Sequence, residues 1–407
     1  MGLLRSRIDA TRRQYPNQFW LLFWGLMIST VGSSMIWPFL MIYVNRRLNL
    51  PLATATTLMS VNAFCGLVFA FIAGPVTDRL GRKWVMAVSL AATGVGYLMM
   101  SQANSFLTFV FIMAWNGSVQ PLYRVGADAM MADLIPPEKR VDAYSLLRTS
   151  SNIGVALGPA IGGFIAGRSY TVAFLLAAAG LITYSLLVTF LANETLPRRD
   201  GVLPRIPERL GGYDRVLKDR KFVVFSFNYT LTQICAALIW VLLGVYAYQN
   251  FHVTESQYGF IPTTNALMVV FFQLIVTRIS KRYPPLPTLA VATLFYALGV
   301  GSVAFGQGFW GFWLSMVIVT IGELITTPTA TTLVANLAPA DMRGRYMSIY
   351  GLTWGAAAGI GPVLGGLLSD NFGPVFIWYG GLVVGLISTL GFIVMARSFS
   401  KPKTVLA

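Results

Sequence analysis

The chain has 407 residues, 56% of them hydrophobic and only 11% charged, and its mean hydropathy is +0.65. A soluble domain of this length does not carry that balance, so the class is a polytopic membrane protein. A net charge of +15 would suit a nucleic-acid binder, but the basic residues cluster in alternate breaks between apolar runs. With a single histidine, His252, and two cysteines, Cys65 and Cys235, inside apolar runs of different halves, zinc clusters, disulfide frameworks and Ser-His-Asp sets lack their parts.

Residues 1–18 are basic and lack the apolar core and small-residue cleavage site of a signal peptide. The start MGLLRS matches the myristoylation pattern M-G-x-x-x-S, although a cytoplasmic lead-in to the first span is the simpler reading. A span needs about 20 mostly apolar residues, and the runs between charges and Pro/Gly/Asn punctuation predict twelve. They lie near 19–44, 53–77, 84–102, 106–131, 143–166 and 171–192, then near 222–248, 258–279, 287–305, 309–336, 347–370 and 375–396. This gives an all-α membrane protein of two six-helix bundles, 19–193 and 222–396, joined by a linker at 194–221 and followed by a tail at 397–407. Of the 30 Lys and Arg residues, 25 then fall on the side of the two termini, while Arg46, Arg47 and Arg168 fall opposite and Arg124 and Arg148 fall within spans. That asymmetry places both termini in the cytoplasm.

Between spans 2 and 3 stands GPVTDRLGRK, residues 74–83. Asp78, Arg79, Arg82 and Lys83 cannot enter hydrocarbon, so the stretch marks a membrane-water boundary, and Gly81 supplies the permissive backbone for a tight reversal. With Gly74, these residues form G-x-x-x-D-R-x-G-R-K, which resembles the signature loop between helices 2 and 3 of the major facilitator superfamily. The resemblance implies a conformational latch, with Asp78 accepting hydrogen bonds from a helix N-terminus and the cations pairing with acids or lipid phosphate. The plainer reading, a positive-inside anchor, accounts for the cations but leaves Asp78 and Gly81 idle.

The halves read as copies. Span 5 contains GVALGPAIGG, with Gly154, Gly158, Pro159, Gly162 and Gly163, and span 11 contains AAGIGPVLGG. Aligning Gly158-Pro159 with Gly361-Pro362 sets an offset of 203 residues, which also places Arg140 on Arg343 and Pro136-Pro137-Glu138 on Pro339-Ala340-Asp341. Small residues at helical spacing let helices approach closely. The span 5 pattern also resembles that of drug/proton antiporters within the superfamily, which implies export.

Ionisable residues inside spans are functional candidates by default. Glu323 lies in mid-span 10 in IGELITTP, and its repeat mate is Gln120. A carboxyl in such surroundings can carry a proton or meet a cationic compound. Arg124 and Asp128, four apart on span 4, can neutralise each other, and Arg148 enters span 5. This set reads equally as a stabilising cluster or a proton relay. The resemblance implies that helices 1, 4, 7 and 10 line a central path, which makes Trp37, Tyr123, Asn228, Tyr229, Gln233 and Trp240 candidate lining residues, although packing alone would also explain each.

The resulting expectation is a monomeric, proton-coupled secondary transporter in a bacterial-type inner membrane, exporting amphipathic or cationic drug-like compounds by alternating access. No cofactor, metal or nucleic acid is expected, and it is not an enzyme. The alternatives are transport of a defined metabolite or lipid and, more remotely, a receptor-like or enzymatic membrane protein that kept the fold.

Overall fold

The computed structural model describes residues 14–196, 213–339 and 342–399. The myristoylation-like start, most of the linker, Ala340-Asp341 of the second repeat and the tail lie outside these residues.

Twelve long helices follow one another among the described residues. They are α1 Asn17–Leu48, α2 Leu52–Leu80, α3 Arg82–Gln102, α4 Phe106–Leu134, α5 Arg140–Ala166 and α6 Tyr170–Leu191, then α7 Arg220–Phe251, α8 Glu255–Ser280, α9 Pro285–Phe305, α10 Gly308–Leu337, α11 Arg343–Phe372 and α12 Phe376–Phe399. A six-residue helix, Tyr213–Lys218, precedes α7. Ten of the twelve are apolar enough to cross a membrane. The exceptions are α4 and α5, whose sequences carry Asn116, Gln120, Arg124, Asp128 and Arg148. α1 tightens into a 3-10 turn at Trp37–Phe39, where Pro38 offers no N–H to the helix.

The repeat is visible in the packing. α1 packs on α5 and α6, and α3 on α4 and α6; in the second half α7 packs on α11 and α12, and α9 on α10 and α12. The shared glycines sit at matching places. A Cβ at Gly158 would lie 2.5 Å from Ser34 Cβ on α1, and Gly162 has no room beside the Met35 carbonyl. Gly361 faces Ile234 and Ala237 of α7, and Gly365 faces Leu238 and Leu242. The antiporter-like motif therefore seats α5 on α1, as its counterpart seats α11 on α7.

The chain divides into two compact units, Met1–Phe39 with Phe64–Val202 and Leu40–Ala63 with Leu203–Ala407. The second unit thus takes the adjoining ends of α1 and α2. Arg46 pairs with Glu255 at 2.5 Å, hydrogen-bonds the Tyr248 hydroxyl and lies 4.1 Å over its ring. Asp370, near the end of α11, accepts from Leu52 N at 3.1 Å and Ala53 N at 2.8 Å, which caps the N-terminus of α2.

Candidate functional site

Glu323 lies on α10 where that helix packs along α8. Four side-chain hydrogen bonds stitch this seam. Trp313 Nε1 donates to Thr264 Oγ1 at 2.9 Å, Gln273 Nε2 donates to the Leu324 carbonyl at 3.0 Å, and Asn265 stands between them. Asn265 is buried, and its Nδ2 donates to Glu323 Oε2 at 2.7 Å and to Thr320 Oγ1 at 3.0 Å. The Thr320 hydroxyl donates onward to the Met316 carbonyl at 2.7 Å. One amide thereby holds the carboxylate from a neighbouring helix, and the backbone holds the hydroxyl beside it. Glu323 itself is only partly buried, and its carboxylate is held from the α8 side by Asn265.

Tyr229 and Tyr296 lie within electrostatic reach of Glu323, and Tyr350 donates to the Tyr229 hydroxyl at 3.1 Å. The Thr331 and Tyr350 hydroxyls are 3.3 Å apart, continuing the chain toward the far end of α10. α9 comes close because residue 322 is glycine: a Cβ there would stand 2.7 Å from the Ala292 carbonyl. The arrangement places one acid among hydroxyl groups that can donate or accept.

The first unit presents a different surface. Gln120, Arg124 and Asp128 follow one another at four-residue spacing on α4, and all three are exposed. Arg148 on α5 is exposed as well. Arg124 is within electrostatic reach of Asp128, but no ion pair under 4 Å joins them; the four ion pairs among the described residues lie elsewhere. The mutual neutralisation expected from their spacing is therefore loose. The exposed Tyr144 hydroxyl of α5 donates to the Asp128 carbonyl at 3.4 Å.

At the signature stretch, Gly81 has φ +93°, a conformation that disfavours any side chain, and a Cβ would run into the Glu194 carboxylate. Glu194 follows α6 and caps α3, accepting from Arg82 N at 2.9 Å and Lys83 N at 3.2 Å. The Arg82 guanidinium pairs with Asp133 at 3.0 Å and with Asp78 at 3.5 Å. Thr195 Oγ1 also donates to Asp133 at 3.0 Å. Within this unit the stretch therefore ties the ends of α2, α3, α4 and α6 together. Asp78 is half exposed, Arg79 is exposed, Gly74 has open space beside it, and Lys83 lies 5.3 Å over the Trp84 ring.

Several lining candidates turn into helix packing. Asn228 is buried and donates to the Ser388 carbonyl of α12 at 2.9 Å, and Tyr229 is buried against Tyr350. The rings of Tyr123 and Tyr184 meet edge to face at 6.0 Å. Gln233 and Trp240 are half-buried, and Trp37 is exposed at the 3-10 turn. At the end of α5 the Gly163 carbonyl accepts from Gly167 N at 3.0 Å. The residues that sequence reasoning missed are Asn265 and Glu194. Asn265 was signalled only as a polar residue in an apolar span, and Glu194 only as an acid at the edge of a basic linker.

Among the described residues no group of His, Cys, Asp or Glu could hold a metal ion. Residues 22–229 and 222–406 match the model of the Major Facilitator Superfamily. The chain is similar to the Na(+), Li(+), K(+)/H(+) antiporter of Planococcus maritimus, at 26% identity over 382 residues covering 85% of this chain and 86% of the relative. It is 20% identical over 381 residues to the quinolone resistance protein NorA of Staphylococcus aureus strain Mu50, covering 92% and 96% of the two chains. A crystal structure of a point variant of the nucleoside transporter NupG superposes with a TM-score of 0.80 at 13% identity, covering 93% of this chain and 99% of that one. At such low identity the likeness shows the fold alone. The matches over both halves and the twelve long helices make the chain an integral membrane transporter that belongs to the Major Facilitator Superfamily.

Proposed function

We propose that this transporter exports amphipathic, cationic compounds in exchange for protons, with Glu323 as the group that holds either the proton or the cation. The observation that carries the reading is the Glu323 carboxylate fixed by buried Asn265 at 2.7 Å in the middle of a span. A carboxylate so placed is costly to leave charged and is retained for a cation or proton. The names of the antiporter and quinolone-resistance relatives agree with coupled export. The excess of Lys and Arg on the side of the termini supports a cytoplasmic location for both ends, and the bacterial relatives support an inner membrane.

Substrate-driven proton release from proteoliposomes, with a panel of lipophilic cations, tests the reading. The native chain is expected to release protons and Glu323→Gln to release none. Absence of release from the folded native chain contradicts it. Because a carboxylate also suits an alkali cation, the cargo in the Planococcus relative's name, Na+ and K+ belong in the same panel. Release with those ions alone would favour that second reading.

A further inference from the structure

A chain of hydroxyl groups runs from the neighbourhood of Glu323 toward one end of the second unit, and the seam that holds the carboxylate makes no use of it. Its members are Tyr229 on α7, Tyr350 on α11 and Thr331 on α10, all within that unit. These three helices pack on one another. Tyr350 donates to the Tyr229 oxygen at 3.1 Å, and the Thr331 and Tyr350 hydroxyls are 3.3 Å apart. Thr331 also donates to the Thr327 carbonyl at 2.9 Å, so its proton can turn between two acceptors. Ring packing alone does not call for these hydroxyls, since Phe225 stacks on Tyr229 in the same cluster with none.

The groups are also ordered along the membrane. α10 ends, and α7 and α11 begin, on the side of the linker. At a rise of about 1.5 Å per residue, Glu323 stands about 21 Å from that end of its helix, Tyr229 about 14 Å, Tyr350 about 10 Å and Thr331 about 9 Å. Thr331, the last of them, is half-buried. The step between the acid and Tyr229 has both a donor and an acceptor to spare. Asn265 occupies Glu323 Oε2, and among the described residues Oε1 has no hydrogen bond. Tyr229 accepts from Tyr350, and its own proton has no acceptor among those residues. The two side chains lie within electrostatic reach of each other.

We propose that Tyr229, Tyr350 and Thr331 relay the proton of Glu323 to the side of the linker. The relay rests on the antiport reading of Glu323. In one pass the carboxyl gives its proton to the Tyr229 oxygen, Tyr229 gives its own to Tyr350, Tyr350 to Thr331 and Thr331 to water. Each O–H bond broken is matched by one formed, and no hydroxyl is left charged. The pass leaves Tyr350 donating to Tyr229, which is the orientation found, and rotation of the hydroxyls resets the chain.

The test uses the full-length chain in proteoliposomes with ethidium as the cation, against protein-free vesicles, and reads two rates. Ethidium-driven proton release needs the relay, whereas exchange of labelled for unlabelled ethidium at equal pH moves no net proton. Tyr350→Phe keeps the ring and breaks both bonds; it is expected to slow release about tenfold, the scale of one lost hydrogen bond, and to leave exchange within about twofold. Thr331→Val should also slow release, and Thr331→Ser, which keeps the hydroxyl, should restore it. Tyr296→Phe removes a phenol within reach of the same acid but outside these bonds, and should cost less than Tyr350→Phe. Undiminished release in Tyr350→Phe, equal loss of release and exchange, or equal effects of Tyr350→Phe and Tyr296→Phe overturns the relay. If the native chain exchanges ethidium without releasing protons, the antiport reading fails and the relay with it. Release that is lost in Glu323→Gln but unchanged in Tyr350→Phe removes the relay alone.

Discussion

The two halves place related residues in opposite circumstances. At the 203-residue offset, Glu323 on α10 corresponds to Gln120 on α4, and Asn265 on α8 to Asn62 on α2. In the second half the α8–α10 seam is stitched, and its acid is held by a buried amide. In the first half Gln120 stands exposed above Arg124 and Asp128, and the part of α2 belonging to that unit leaves Phe64, Phe71 and Leu80 mostly exposed, Phe64 at 69%. One scaffold thus carries a charge fixed by protein partners and charges left without them. The acid of the second half is held in place by a neighbouring helix, whereas Arg124 and Arg148 have no ion-pair partner among the described residues.

The largest effect expected is at the fixed charge. Glu323→Gln should reduce cation-driven proton release to background while cation binding by the folded chain survives in weakened form. Asn265→Ala removes the donor that holds the acid; coupled flux should fall about tenfold, the scale of a charged hydrogen bond. In the same vesicles, Thr320→Val, which leaves the Asn265–Glu323 bond in place, should cost less. Equal losses for the two variants would mean that the seam matters only for packing.

Next come stability effects. Arg82 is almost buried, and its 3.0 Å partner Asp133 is mostly so. Arg82→Ala strands an acid in the knot at the end of α4 and should lower unfolding stability by about 3 kcal/mol, read by thermal unfolding in detergent. The glycine motif then sharpens the comparison of halves. Gly158→Ala would bring its new Cβ to 2.5 Å from Ser34, whereas Gly361→Ala meets ordinary contacts at 3.4 Å. The first should cost about 1–3 kcal/mol, and the second should stay within about 0.5 kcal/mol. Equal costs would contradict the closer approach of α5 to α1. Asp370→Asn weakens the cap on α2 and should change stability by about 0.5 kcal/mol.

Much of the fold was legible because its constraints are local. Span length, the arrival of Asp78, Arg79, Arg82 and Lys83 at a boundary, and the repeated Gly-Pro pair each follow from hydrocarbon excluding charge or from helices needing small residues to approach. Glu323 stood out for the same reason, as a charge where charge is costly. What the sequence did not reveal were partners distant along the chain. Nothing near Glu323 in sequence names Asn265, 58 residues away, as its donor, and nothing near Arg82 names Glu194, 112 residues away, as the cap on its helix. Asn228 shows the reverse limit. A polar residue on a helix expected to line a path proved to be a packing residue, satisfied by the Ser388 carbonyl. Helical periodicity identifies a face, but tertiary packing decides what that face meets.

In the proposed function, Glu323 exchanges a proton for a cation. Difference infrared spectroscopy of the protonated-carboxyl band, recorded as a lipophilic cation is added to the reconstituted chain, tests it most directly. The native chain is expected to lose a carboxyl band on cation binding, and Glu323→Gln to show no such band to lose. A band that persists when the cation is bound, or that disappears equally in Glu323→Gln, would contradict it.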